Sequence, residues 1–230
     1  MDETVTTERP EAAVRGSDGH ISNEFLAGIV AAVEAADGDR LAEIAEPIHE
    51  ADLADILEAL KGQQRRLFVQ LLGSRFDFRS LTEVDDKVRE EILDLLPTEA
   101  VVEGVRDLDT DDAVYILEDL DEGEQRQILD RMPEAERAPL QRSLEFPEES
   151  AGRRMQSEFI AVPPFWTVGQ TIDYMRDSDD LPSEFYEIFI VDPAFRPIGT
   201  VTLNHLLRSK RPVPMEKIMD REIYTVRASE

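Results

Sequence analysis

The sequence predicts an α + α/β protein: an all-α superhelical bundle of short helices followed by an incomplete β-α-β-β-α domain. Three observations predict it. Leucine-stepped helical stripes fill residues 23–149, short β-like runs begin after Ser150, and the charge changes at the same place. The 230 residues include 51 Asp and Glu against 25 Lys and Arg, a net charge of −26. Residues 151–230 hold 12 acids and 10 bases, which leaves 39 and 15 for the first 150, or −24 of the −26. Packed carboxylates repel one another, so a module of this kind responds to dissolved cations.

Residues 1–22 are polar and acidic, with no apolar core of a signal peptide, and are expected to form a disordered leader. The first helix is expected from Asn23 to Ala36, ended by Asp37-Gly38-Asp39. A second spans Leu41 to Ala45, before Pro47. In Glu50–Leu60 the apolar residues Leu53, Ile56, Leu57 and Leu60 have helical spacing, Gly62 reads as a break, and Arg65–Leu72 makes another short helix. From there a period of twelve sets in. Leu96, Leu108, Leu120, Met132 and Leu144 each end an apolar stripe, and Pro97, Asp109, Asp121 and Pro133 follow the first four. Leu93, Val105, Leu117, Leu129 and Gln141 lie three residues before these ends, and Ile92, Gly104, Ile116, Ile128 and Leu140 four before, so each set falls on one helix face. Helices this short are marginal alone and must stack on their neighbours, as in a solenoid.

After Glu148-Glu149-Ser150 the period changes. Phe159–Val162 is strand-like and ends at Pro163-Pro164. Thr167-Val-Gly-Gln170 has capping-box spacing and opens a helix through Arg176. Asp177–Ser183 reads as a polar loop, Tyr186–Val191 as a second strand, Asp192-Pro193 as a turn, and Ile198–Leu203 as a third strand leading into a helix that ends at Arg208. Pro212 and Pro214 mark a linker before the apolar stretch Ile223–Val226.

Composition excludes several classes. Nucleic acid and anionic membrane surfaces call for clustered Lys and Arg, which are absent. The longest apolar run, Phe25–Val33, is far short of the about 20 residues of a membrane span. The chain has no cysteine, and its three histidines, His20, His49 and His205, lack paired metal-ligand spacing. No Gly-rich phosphate loop or nucleophile elbow is present, so no enzyme is expected.

Thr167-Val-Gly-Gln-Thr-Ile, Phe189-Ile-Val-Asp192 and Pro197-Ile-Gly-Thr-Val-Thr-Leu together resemble a cystathionine-β-synthase-type (CBS) motif. CBS motifs pair two to a domain, and a second is expected to start near Met219. Asp52-Leu-Ala-Asp-Ile-Leu and Asp111-Asp-Ala-Val-Tyr-Ile-Leu, followed by Glu149-Ser-Ala-Gly-Arg-Arg-Met155 and a CBS motif, resemble the cytosolic part of MgtE-type magnesium transporters over roughly residues 25–230. The resemblance implies three segments: a leader over 1–22, an acidic helical N-domain over 23–149, and a first CBS motif with the start of a second over 150–230. It implies a homodimer formed through CBS domains and a membrane domain following this chain. The whole would sit on the cytoplasmic side of the inner or plasma membrane. Mg²⁺ binding between N-domain and CBS domain would then favour the closed pore. The alternative is a soluble CBS-containing protein that uses the helices as a protein-docking scaffold.

The densest charge runs from Val105 to Glu124, where nine acids face Arg106 alone. Asp109 with Asp112, and Asp121 with Glu124, have the spacing of helix caps, a structural role that competes with ion binding. Mg²⁺ keeps several waters and takes one or two carboxylates per ion, so its sites leave no tight motif. The resemblance singles out Asp111 as a regulatory Mg²⁺ ligand, with Asp112, Asp107 and Asp109 as its neighbours. Where the family often has another Asp, four residues on, this chain has Tyr115. CBS pairs also bind adenosyl ligands. Here Asn204 and His205 stand where that site has Arg and Asp, and Glu187 stands where an aromatic stacks on adenine. A carboxylate does not stack there and repels phosphate, so ATP is not expected as a cofactor. Trp166 reads as a local packing anchor.

Overall fold

The computed structural model describes residues 14–178, 181–182 and 185–230. Its contacts divide the chain into two compact units. One runs up to Leu108 and takes in Tyr115–Glu134; the other comprises Asp109–Val114 and Ala135–Glu230. No helix among the described residues is long and apolar enough to cross a membrane.

The first unit opens with a tight loop. Ser22 donates its amide to the Val14 carbonyl (2.8 Å), and the Arg15 guanidinium reaches Asp52 (2.5 Å) and Asp55 (2.6 Å). Residues 14–22, read from the sequence as leader, are therefore fastened to the helix that carries Asp52; residues 1–13 lie outside the described part. Helix α1 (Asn23–Glu34) is capped by Ser22, and α2 (Gly38–Ala45) by Asp37, whose carboxylate accepts from the Arg40 amide at 3.1 Å. Asp37 thus opens the second helix rather than closing the first, and the chain turns at Ala36, which takes a φ of 52°. Helix α3 (Glu50–Ala59) buries Leu53, Ile56 and Leu57. Gly62 is the first residue of α4 (Gly62–Leu72), and the break falls on the extended backbone of Leu60 and Lys61. A short α5 (Ser80–Glu83) follows Phe76 and Phe78, whose rings meet edge to face at 5.6 Å. None of residues 73–84 carries a readable helical stripe.

The twelve-residue period is a structural one. Helices α6 (Asp86–Leu93), α7 (Thr98–Arg106), α8 (Thr110–Glu118), α9 (Glu122–Leu129) and α10 (Glu134–Leu144) begin at intervals of twelve residues. Ile92 with Leu93, Val105, Ile116 with Leu117, Ile128 with Leu129, and Leu140 are all buried. Gly104 occupies its place in the stripe because a Cβ there would come within 2.2 Å of the Phe78 ring. Asp121 and Glu124 form the expected capping box at the start of α9. Helix α8 belongs to both units, Thr110–Val114 to the second and Tyr115–Glu118 to the first.

The second unit also contains α11 (Ala151–Arg154), β1 (Ile160–Val162), α12 (Val168–Asp177), β2 (Glu187–Val191), β3 (Pro197–Thr202) and α13 (Leu203–Arg208). The polar loop read at Asp177–Ser183 lies partly outside the described residues. Strand β1 pairs parallel with β2 across the α12 crossover, and β2 pairs antiparallel with β3. Alternation buries Ile160, Val162, Ile188, Ile190 and Val201 against Val168, Leu206 and Met215. Trp166 packs on this core and meets Tyr174 edge to face at 5.4 Å, as an anchor should. Thr167 and Gln170 complete the second capping box. In the β2–β3 turn the Asp192 carboxylate accepts from the amides of Arg196 and Ala194, both at 2.9 Å, and these bonds hold its pKa below the ordinary Asp value. They also hold Phe195 at a φ of 60°. Ile223–Val226 joins no strand, and Tyr224 is 92% exposed. Beyond it the chain returns to α11, where the Gly152 amide donates to the Ala228 carbonyl (2.7 Å) and the Ala151 amide to that of Glu230 (2.6 Å).

Candidate functional site

The four acids singled out from the sequence fall in two places. Asp107 is the exposed C-cap residue of α7 in the first unit. Asp109, Asp111 and Asp112 open α8 in the second. The Asp109 carbonyl accepts the first helical bond, from the Ala113 amide at 2.9 Å, and its carboxylate accepts from the Gln156 side-chain amide at 2.7 Å. Asp112 also has partners. Asp111 is half-buried in the first turn, where the helix dipole favours negative charge. Among the described residues no three His, Asp or Glu side chains gather closely enough to hold a metal ion by themselves. A hydrated Mg²⁺ that takes one or two carboxylates, with waters as its other ligands, asks for less than that.

Glu158, which sequence reasoning missed, adds a carboxylate to this group. It accepts from the Thr110 amide (3.1 Å), the Thr110 hydroxyl (2.5 Å) and the Ser157 amide (3.1 Å). Thr110 is 3% exposed. Nothing local marks this contact, because 48 residues separate the partners.

Tyr115, the residue that replaces an expected Asp, has another duty in the first unit. The Arg89 guanidinium lies 4.4 Å from the centroid of its ring. Arg89 is buried and donates to the carbonyls of Leu81 (3.1 Å) and Val84 (3.3 Å), to Asp86 (2.7 Å) and to Asp119. Burial pushes its pKa down, and the bond and charge of Asp119 more than offset this, so it stays raised. Here a fixed guanidinium meets part of the acidic cluster. Arg65 does the same for Glu91 at 2.5 Å while donating to the carbonyls of Leu57 and Leu60.

A cleft of about 490 Å³ opens in the second unit beside β3. Glu187, Asp220, Thr200, Thr202 and His205 line it, with Met219 and Ile218 as its apolar part. Among the described residues, the charged groups that line it are the two carboxylates of Glu187 and Asp220, which make it an electronegative cleft.

Comparison with known proteins places these features. Residues 48–149 match the family described as the MgtE intracellular N domain. The magnesium transporter MgtE of Thermus thermophilus is 26% identical over 199 residues, covering 85% of this chain and 44% of the transporter. That of Bacillus subtilis is 23% identical over 169 residues, covering 74% and 37%. The chain thus spans less than half the length of either relative. The fold is similar to the crystal structure of the cytosolic domain of the Mg²⁺ channel MgtE in complex with ATP, with a TM-score of 0.78 and 25% identity over 88% of this chain and 83% of the other. It is also similar to the soluble part of a magnesium transporter, with a TM-score of 0.77 and 17% identity over 88% and 80%.

Proposed function

We propose that this chain, whose residues 48–149 are an MgtE intracellular N domain and whose fold is that of the MgtE cytosolic region, is the regulatory region of a magnesium channel or transporter. It acts on the cytoplasmic side of the membrane and carries no catalytic role. The pore is formed by a membrane domain, and two copies associate through their CBS-type parts. Mg²⁺ taken up by the acidic helical domain relieves carboxylate repulsion and favours the closed pore, with Asp111 as first ligand and Asp112, Asp107 and Asp109 as its supports. The observation that carries this reading is the segregation of charge. The segment that matches the N domain lies within the 150 residues that hold −24 of the net charge. Asp111 stands in its densest run, half-buried in the first turn of α8.

Calorimetric titration with Mg²⁺, beside Asp111→Ala and a Na⁺ control matched in ionic strength, tests it. Saturable Mg²⁺ binding that Asp111→Ala weakens about tenfold is expected, on the order of one lost charge-assisted ligand. A response that Na⁺ reproduces would be general screening and would shift the reading to the docking scaffold.

A further inference from the structure

Beyond the four acids, the second unit contains a connection from the start of α8 to the sheet. Three consecutive residues, Gln156, Ser157 and Glu158, run into β1 with only Phe159 between. Two of them hold the beginning of α8. Gln156 donates to the Asp109 carboxylate, and Glu158 accepts from both the amide and the hydroxyl of Thr110. The first amides of a helix have no partner within it, so a carboxylate brought to one from elsewhere in the chain decides whether the first turn forms there. Glu158 is also one more negative charge beside Asp109, Asp111 and Asp112. A bond between like-charged surroundings is weakened by their repulsion, and a cation in the first turn strengthens it.

We propose that Gln156–Glu158 is a clasp, with Glu158 as positioning residue, that fixes the first turn of α8 and couples its ionic state to β1. The clasp rests on geometry alone; the coupling to Mg²⁺ rests on the function proposed above. With the clasp closed, the carboxylates of Asp111 and Asp112 are presented from an ordered turn. A change there reaches Ile160 through two covalent steps rather than through a soft surface.

Hydrogen–deuterium exchange of the full chain, read at Ala113 and Val114 and at Ile160–Val162, tests both halves. Without divalent ion, Glu158→Ala should speed exchange at Ala113 and Val114 about tenfold, as expected for loss of a helix cap. Thr110→Val, which removes only the hydroxyl, should give a smaller change in the same direction. Its effect should be largely absorbed when combined with Glu158→Ala, because the two act on one bond. Exchange unchanged in either single variant overturns the clasp. With Mg²⁺ added, wild type should slow at both α8 and β1, and Glu158→Ala should slow at α8 alone. Slowing at β1 that survives Glu158→Ala overturns the coupling. A wild type indifferent to Mg²⁺ removes the proposed function and the coupling together, while the ion-free result still decides the clasp.

Discussion

At the scale of single residues, Arg89 explains why an acidic cluster can fold around so few bases. One guanidinium, 1% exposed, serves two carbonyls, two carboxylates and one ring. Such a set needs a planar fork with donors on three nitrogens, which an ammonium cannot supply. Arg89→Met should destabilise the first unit by about 3 kcal/mol, since it leaves the Leu81 and Val84 carbonyls without their donor and Asp119 without its countercharge. Arg89→Lys should recover less than half of that. Urea unfolding followed by circular dichroism reads both, and an Arg89→Lys variant as stable as wild type would show that charge alone matters. The sequence offered little warning. Arg89 sits in an ordinary charged run, and its partners are three, five, eight and 30 residues away. Glu158 was hidden for the same reason: a long-range polar contact leaves no periodic trace. Composition made the acidic run from Val105 to Glu124 visible, because an excess of like charge needs no partner to be seen, while the choice of Asp111 within it came from the family resemblance.

Among the elements, the ones best read were those whose residues repeat. The period of twelve placed α6 to α10, and the burial of Ile92, Ile116, Ile128 and Leu140 follows from the same spacing. Capping boxes placed the starts of α9 and α12. Errors fell where one residue type has two uses. Asp37 caps α2 instead of ending α1, and Gly62 enters α4 instead of breaking the helix before it. Residues 73–84 escaped because Phe78 packs across to α7 rather than along its own segment. Gly104 is the clearest instance of that packing. Glycine inside a helix costs about 1 kcal/mol relative to alanine, so by propensity alone Gly104→Ala should stabilise α7. The Phe78 ring reverses the sign, since the new Cβ would sit 2.2 Å from it. Gly104→Ala should therefore destabilise by about 1–3 kcal/mol, the usual cost of overpacking. In the Phe78→Ala background the ring is gone, and the same change should become neutral or stabilising. A thermal melt of the four proteins checks this; Gly104→Ala that stabilises in the presence of Phe78 would mean the ring moves aside freely.

Over the whole molecule, the boundary seen in charge and the boundary seen in contacts differ. Charge changes near Ala151, whereas the second compact unit also takes in Asp109–Val114 and begins its main run at Ala135. Composition follows the residue types of a segment; contacts follow what its backbone and side chains bond to, and Thr110 bonds to Glu158. The acidic run is thereby shared, with Asp107 in one unit and Asp109, Asp111 and Asp112 in the other. Such a distribution has an electrostatic consequence that does not depend on any ion site. A net −24 over 150 residues opposes compaction, and the guanidiniums of Arg15, Arg65, Arg75 and Arg89 each relieve it only locally. Raising monovalent salt shortens the Debye length from about 30 Å at 0.01 M to about 8 Å at 0.15 M, which screens the residual repulsion but barely touches the buried bonds of Arg89. The melting temperature of the helical part should therefore rise by about 5 °C over that range in NaCl, corresponding to roughly 1 kcal/mol for a domain of this size. The near-neutral sheet segment, residues 151–230, should gain little, so the two should be separable by exchange at buried amides of α7 and of β2. A flat or falling curve would mean that the fixed arginines already neutralise the acidic part. The Mg²⁺ response proposed above would then have to come from specific ligation at residues such as Asp111 rather than from the field of the whole domain.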